Sequence, residues 1–277
     1  MRTGGLGTAR FQAGDGTRVG RHPSREGLDV ESLAERYLDA VTAQLSRLRD
    51  EELPAIAAAA EVLADAITGG RRIFAFGCGH SSLAVYDLVY RAGGLALVNP
   101  IVVPGTGATD PPPATLSTAV ERLPGLATAV LDNSPIQAGD VLIVVSLTGR
   151  NAVPVEMGRV ARERGLTVVA VTSRECSAAA PSRDPSGLKL ADIAHHVLDC
   201  KVGVGDAALE ADGLPHRFSP TSGVLGATLL QLLVASTVEA LLARGVTPPM
   251  FMSANVDGGQ EWNTRMLSEN ADRIFYL

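Results

Sequence analysis

The chain has 277 residues, 46% of them apolar and 19% charged, with a formal net charge of −6. That length and composition can bury a large core in one domain with additions, and the acidic balance excludes a broad nucleic-acid interface, which needs a basic face. Three cysteines, Cys78, Cys176 and Cys200, lie far apart without C-x-x-C spacing, so no zinc site or disulfide framework is expected and a reducing cytoplasm fits.

Residues 1–28 are rich in glycine and arginine and lack the apolar segment of a signal peptide, so a flexible leader is expected there, followed by one domain over 29–277. Leu33, Tyr37, Leu38, Val41, Leu45 and Leu48 recur at helical spacing, with Asp29 or Ser32 as cap. Pro54 opens a second helix over 55–67, ended by Gly69 and Gly70. Packing is the expected role of this helical pair.

The run 73–76 is apolar and short enough for a central parallel strand. Gly77 and Gly79 then allow a sharp turn, and Ser81 and Ser82 fall where a helix must cap its free N–H groups. Such a turn, with hydroxyls at the positive end of a helix, is built to cradle an anion. A helix over 83–92 is expected next, stopped by Gly93 and Gly94, then a strand over 95–98. The loop 102–114 is rich in proline and glycine and long enough to be functional. A helix over 115–130 follows and carries Glu121.

The cradle layout recurs downstream. A strand over 141–145 leads into Ser146-Leu147-Thr148-Gly149-Arg150-Asn151 and a helix with Pro154 in its first turn. Glu156, inside that helix, reads as a surface residue. Strands over 167–172 and 196–199 follow, with polar loops over 173–189 and 200–222. Pro220-Thr221-Ser222-Gly223 is a capping sequence before an apolar helix over 224–243. Its Gln231, Ser236, Thr237 and Glu239 argue against a lipid-facing span and for a buried or subunit-interface helix. Strands alternating with helices imply an α/β fold, a parallel sheet covered on both faces, with ligands at the carboxyl ends of the strands. A dinucleotide fold fails on two counts: His80-Ser81-Ser82 replaces the third glycine, and the strand after the first turn ends at Asn99-Pro100 without a ribose-binding carboxylate.

The order of these parts resembles the SIS, or sugar isomerase, domain superfamily. The stretches that carry the likeness are Phe76 to Ser82, Ser146 to Asn151 with the strand after it, Tyr90 to Pro100, Gly205-Asp206-Ala207 and Ser253 to Gly259. They are similar to a single-domain subgroup of that superfamily, over most of the chain after residue 30. The resemblance implies a three-layer α/β/α sandwich with a central parallel sheet, flavodoxin-like, plus N-terminal helices. It also implies phosphosugar binding by the hydroxyl-rich turns, through Gly79, Ser81, Ser82, Ser146, Thr148, Gly149, Arg150 and Asn151, in a homodimer or higher homo-oligomer.

Chemistry on such a ligand starts from the acidic C–H beside the carbonyl of the opened sugar, which a carboxylate can remove. Reprotonation at C1 gives isomerisation, and loss of the C3 substituent gives β-elimination. The helix bearing Glu121 is similar to one that carries a catalytic glutamate in N-acetylmuramic acid 6-phosphate etherases, so Glu121 is the expected acid/base. Where those etherases place a second glutamate this chain has Asp87 and its neighbours. His80 is placed to polarise an oxygen or move a proton, and Glu261 and Asp257 lie in a C-terminal loop expected to close over the sugar. Asp206 is a candidate contact to a sugar hydroxyl. His195 and His196 read as structural. No metal is expected, because His195 and His196 are adjacent and no ligand spacing appears, and no cofactor is needed for this step. The expectation is a cytoplasmic lyase of the dehydratase or etherase type acting on an amino-sugar 6-phosphate, without nucleic-acid or membrane partners. An aldose-ketose isomerase and a phosphosugar sensor without turnover are the alternatives.

Overall fold

Five runs of mostly β-branched and aromatic residues pair side by side in the computed structural model, which describes residues 31–108 and 113–277. They are β1 (Ile73–Gly77), β2 (Val98–Pro100), β3 (Val141–Val145), β4 (Thr167–Thr172) and β5 (His196–Asp199). All neighbours are parallel, in the order β2-β1-β3-β4-β5. Every residue of β1 and β3 is buried, as a strand covered on both faces requires.

The strand pleat sorts side chains into two cores. Ile73, Ala75, Val141, Ile143, Val145, Val169 and Val171 face one, and Phe74, Phe76, Leu142, Val144, Val168 and Ala170 face the other. The first core is closed by α1 (Leu33–Glu51), α2 (Leu53–Thr68), α3 (Ser81–Tyr86), α9 (Ser222–Ala243) and α10 (Gly259–Glu269). The second is closed chiefly by α5 (Leu126–Asp132) and α6 (Ala152–Glu163). The short helices α4 (Thr115–Val120), α7 (Arg174–Ala178) and α8 (Leu190–Ile193) complete the chain. The result is the three-layer α/β/α sandwich, and Leu33–Leu277 forms one compact unit. The leader expected over 1–28 lies outside the described residues.

Helix α9 has the length and hydropathy to cross a membrane, but it lies in the first core, burying Leu225, Leu229, Leu230, Leu233 and Leu241. It leaves Val224 and Leu242 exposed.

Four expectations need correction. The strand expected over 95–98 begins only at Val98: Leu95 makes an antiparallel bridge to Met250, and the Ala96 N–H donates to the Pro249 carbonyl. Helix α3 stops at Tyr86, short of residue 92, before Tyr90 and Gly93 turn the chain through positive φ. The helix expected over 115–130 is two, α4 and α5, broken where Pro124 precedes Gly125 in left-handed geometry. Glu156 is buried at 5% exposure: its carboxylate accepts from the Gly125 N–H at 2.9 Å and from the Thr128 hydroxyl, bracing α5 against α6.

Candidate functional site

The strand order reverses between β1 and β3, so the turns after these two strands lie side by side although about sixty residues separate them. Gly77 makes the first turn possible: a Cβ there would stand 2.7 Å from the Ser81 carbonyl oxygen, so only glycine lets α3 begin this close to the strand end. Gly79 follows at φ +54°, and its N–H donates to the Thr106 carbonyl at 2.6 Å, pinning the turn to the loop before α4.

A cavity of about 430 Å³ opens above the two turns, within the usual range of small-ligand sites. Gly79, His80 and Ser81 line it from the first turn, Ser146, Thr148 and Asn151 from the second, and Glu121 from the end of α4. Of the other expected site residues, Ser82, Gly149 and Arg150 stand behind these turns. The Ser82 hydroxyl donates to the Gly79 carbonyl at 2.7 Å and accepts from the Ala108 N–H, so it braces the first turn. Gly149, at φ +56°, packs on Leu190 and accepts that residue's N–H. Arg150 is half-buried with its Nε unpartnered. Asp257 and Glu261 are exposed near the start of α10 and do not line this cavity. Asp87 bonds Arg91 and accepts from Gln231 of α9, away from the lining.

Glu121 sits where α4 meets α6, its carbonyl accepting from the Val153 N–H at 3.0 Å. Its charge is felt across the site. The Cys78 thiol, in the cavity floor, is raised far above the ordinary thiol value, first by burial and then by Glu121. Loss of hydration, then the guanidiniums of Arg122 and Arg150, lower Arg183, and Glu121 acts the other way. Arg183 also ties this basic group to the second turn, donating to the Asn151 side-chain oxygen at 3.0 Å and, through its N–H, to the Arg150 carbonyl at 2.7 Å. Among the described residues no group of three His, Cys, Asp or Glu side chains is placed to share a metal ion. His195 lies away from the cavity, its Nδ1 accepting from the Val168 N–H at 3.0 Å.

Sequence reasoning missed Ser117 and Thr118, which line the cavity from α4. They precede Glu121 by four and three residues, the spacing of one helix face, so the signal was present. It also missed Ser222 and Gly223 at the start of α9, read as a cap and nothing more. Asp206 is in the lining and accepts from the Ser222 hydroxyl.

Residues 36–173 match the family model described as SIS domain. A UPF0309 protein of Streptomyces griseus subsp. griseus is 52% identical over 244 residues, 88% of this chain and 97% of that relative. A UPF0309 protein of Shouchella clausii is 35% identical over 246 residues, 89% of this chain and 100% of that relative. Among solved structures, the phosphoheptose isomerase GmhA from Neisseria gonorrhoeae aligns with a TM-score of 0.48 at 20% identity, covering 76% of this chain and 99% of that one. On identity sustained over nearly the whole length of both relatives, the chain belongs to the UPF0309 protein family and carries a SIS domain.

Proposed function

We propose that the cavity binds an amino-sugar 6-phosphate, N-acetylglucosamine 6-phosphate or a relative, and that Glu121 takes the C2 proton to begin a β-elimination. The observation that carries this reading is the convergence of two hydroxyl-bearing strand-end turns and the Glu121 carboxylate on one cavity. In the open-chain sugar the C1 carbonyl receives the electron pair released from the C2–H bond, which requires a base at C2 and hydrogen-bond donors at the oxygen. The enolate then re-forms the carbonyl and expels the C3 hydroxyl. That group leaves as water with a proton supplied by His80 at the cavity rim, and a C2–C3 double bond remains. On a relative with a hydroxyl at C2, return of the proton to C1 with the C3 bond intact and loss of the C2 hydroxyl proton yields a ketose, the isomerase alternative.

The Gly79 N–H is already bonded to Thr106, so in this reading the donors to the phosphate are the side chains of Ser81, Ser146, Thr148 and Asn151, with Arg150 adding positive charge. Ser82 and Gly149 act by shaping the turns. Glu261 and Asp257 stay in the proposal only as residues that a second copy brings, in a cytoplasmic homodimer or larger assembly.

Proton NMR of N-acetylglucosamine 6-phosphate in deuterated water tests the reading. The wild-type protein is expected to erase the C2 proton signal and form an unsaturated product, and Glu121→Gln to slow both by about 10²–10⁴-fold with binding kept. A ketose formed from the 2-hydroxy analogue glucose 6-phosphate, with no unsaturated product from N-acetylglucosamine 6-phosphate, assigns the isomerase route. Retention of the C2 proton by a protein that still binds the ligand refutes turnover and leaves a phosphosugar sensor.

A further inference from the structure

The two walls of the cavity have opposite hydrogen-bonding character. On the wall formed by the turn after β3, the Ser146 hydroxyl oxygen accepts from the Gly149 N–H at 3.3 Å, which leaves its own proton for a ligand. The Asn151 oxygen is taken by Arg183, which leaves its NH₂ group to donate. Arg150 and Arg183 stand beside this wall, so charge and donors both favour an anion there.

The wall at the start of α9 is built the other way. Asp206, held at φ +50°, aims its carboxylate at the first residues of that helix. One oxygen accepts from the N–H groups of Thr221 and Ser222 at 3.1 and 2.9 Å, and the other accepts from the Ser222 hydroxyl at 2.6 Å. The positive end of α9 is therefore already covered by an internal carboxylate, which repels a second anion. What remains exposed to the cavity is acceptor capacity. Ser222 has spent its proton and keeps two lone pairs, and the Asp206 oxygen that receives it keeps one more. Asp206 stands in left-handed geometry, uncommon for a non-glycine residue, and is held where its carboxylate meets three donors.

We propose that Asp206 and Ser222 form the acceptor subsite that recognises the hydroxyl or amide N–H groups of the sugar and so fixes the direction of the ligand, phosphate toward Ser146–Asn151 and sugar toward α9. The inference rests on the phosphosugar reading and adds its polarity. It separates recognition of the phosphate from recognition of the sugar.

Titration calorimetry of inorganic phosphate and of N-acetylglucosamine 6-phosphate against wild type, Asp206→Asn and Ser222→Ala tests it. Asp206→Asn is expected to bind the sugar phosphate about tenfold more weakly, equal to about 1.4 kcal/mol, and inorganic phosphate as well as wild type or better. Ser222→Ala leaves Asp206 its two backbone bonds and is expected to weaken the sugar phosphate about threefold, with phosphate unchanged. It carries the test if Asp206→Asn does not fold. Wild-type binding of both probes with equal losses for both in the variants, or with no loss for the sugar phosphate, overturns the inference alone. Wild-type protein that binds neither probe overturns the phosphosugar reading and this inference with it.

Discussion

Lys201 joins the helical pair to the sheet, and its removal has a calculable cost. The side chain is 7% exposed, with its ammonium 2.7 Å from Glu52, 3.0 Å from Glu51 and 3.2 Å from Asp199. Burial disfavours the charge, but the bonds from Glu52, Glu51 and Asp199 outweigh it and raise the ammonium above its ordinary value. Lys201→Met keeps the stem and leaves the Glu52 and Asp199 carboxylates buried without their cation. Breaking a buried pair from one side costs about 3–5 kcal/mol. Both carboxylates retain main-chain donors, Glu52 from the Asp199 N–H and Asp199 from those of Arg174 and Lys201, which argues for the lower end, about 3 kcal/mol. At about 2–4 °C per kcal/mol for a domain of this size, the melting midpoint falls by about 6–12 °C. Urea unfolding followed by circular dichroism measures the loss, with the slope unchanged. Adding Glu52→Gln to Lys201→Met removes one uncompensated charge and recovers part of it. Because the folded ammonium is raised, the wild-type advantage is complete below about pH 10 and fades above it. A loss under about 1 kcal/mol refutes the argument and assigns the attachment of the helical pair to the apolar face of α2.

The thiols are expected to be inert in the folded protein: burial raises Cys78 and Cys176 and pushes Cys200 up to about 12, so a thiol reagent at pH 8 should find all three only after denaturation. His195 is lowered by burial, then by Arg162 and His196, and its Nδ1 must stay unprotonated to accept the Val168 N–H. Its contribution is therefore complete above about pH 6.5 and lost as the pH falls below it. Urea midpoints between pH 7 and 5 should decline more steeply for wild type than for His195→Gln. Glu156→Ala strips the acceptor from the Gly125 N–H and the Thr128 hydroxyl and is expected to cost about 2–3 kcal/mol in urea unfolding.

The central strands were legible because burial on both faces writes itself as an apolar run: β1, β3 and β4 fall where the runs at 73–76, 141–145 and 167–172 place them, and the edge strand β5 falls at 196–199 as expected. The helical pair and α6 were legible from helical spacing and from Pro54 and Pro154. The run at 95–98 misled because Leu95 and Ala96 satisfy their backbone on residues 249–250, a partner about 150 positions away that no local pattern announces. Glu156 misled for a related reason, since its partners Gly125 and Thr128 belong to another helix. The break between α4 and α5 was visible in Pro124-Gly125 and was passed over. At the site, one hydroxyl of the Ser81-Ser82 pair meets the cavity and the other meets Ala108. The phase of the first helical turn decides which, and sequence does not carry that phase.

The strand order also explains why the Glu121 carboxylate arrives where it does. With β2 on one side of β1 and β3 on the other, the connection from β2 to β3 must pass β1 to reach its place. The loop after β2 makes this crossing against the first turn, through the Gly79–Thr106 bond and the bridge between Gly79 and Gly107. Helix α4 then descends on the far side, where Val153 at the start of α6 holds its last carbonyl. The crossing segment is thereby fastened to both turns, and Glu121 at its end is set over the gap between them. Ser117 and Thr118 of the same helix line the cavity beside it. The same reversal that creates the gap routes the Glu121 carboxylate to the cavity, so the paired turns and the carboxylate come from one topological feature.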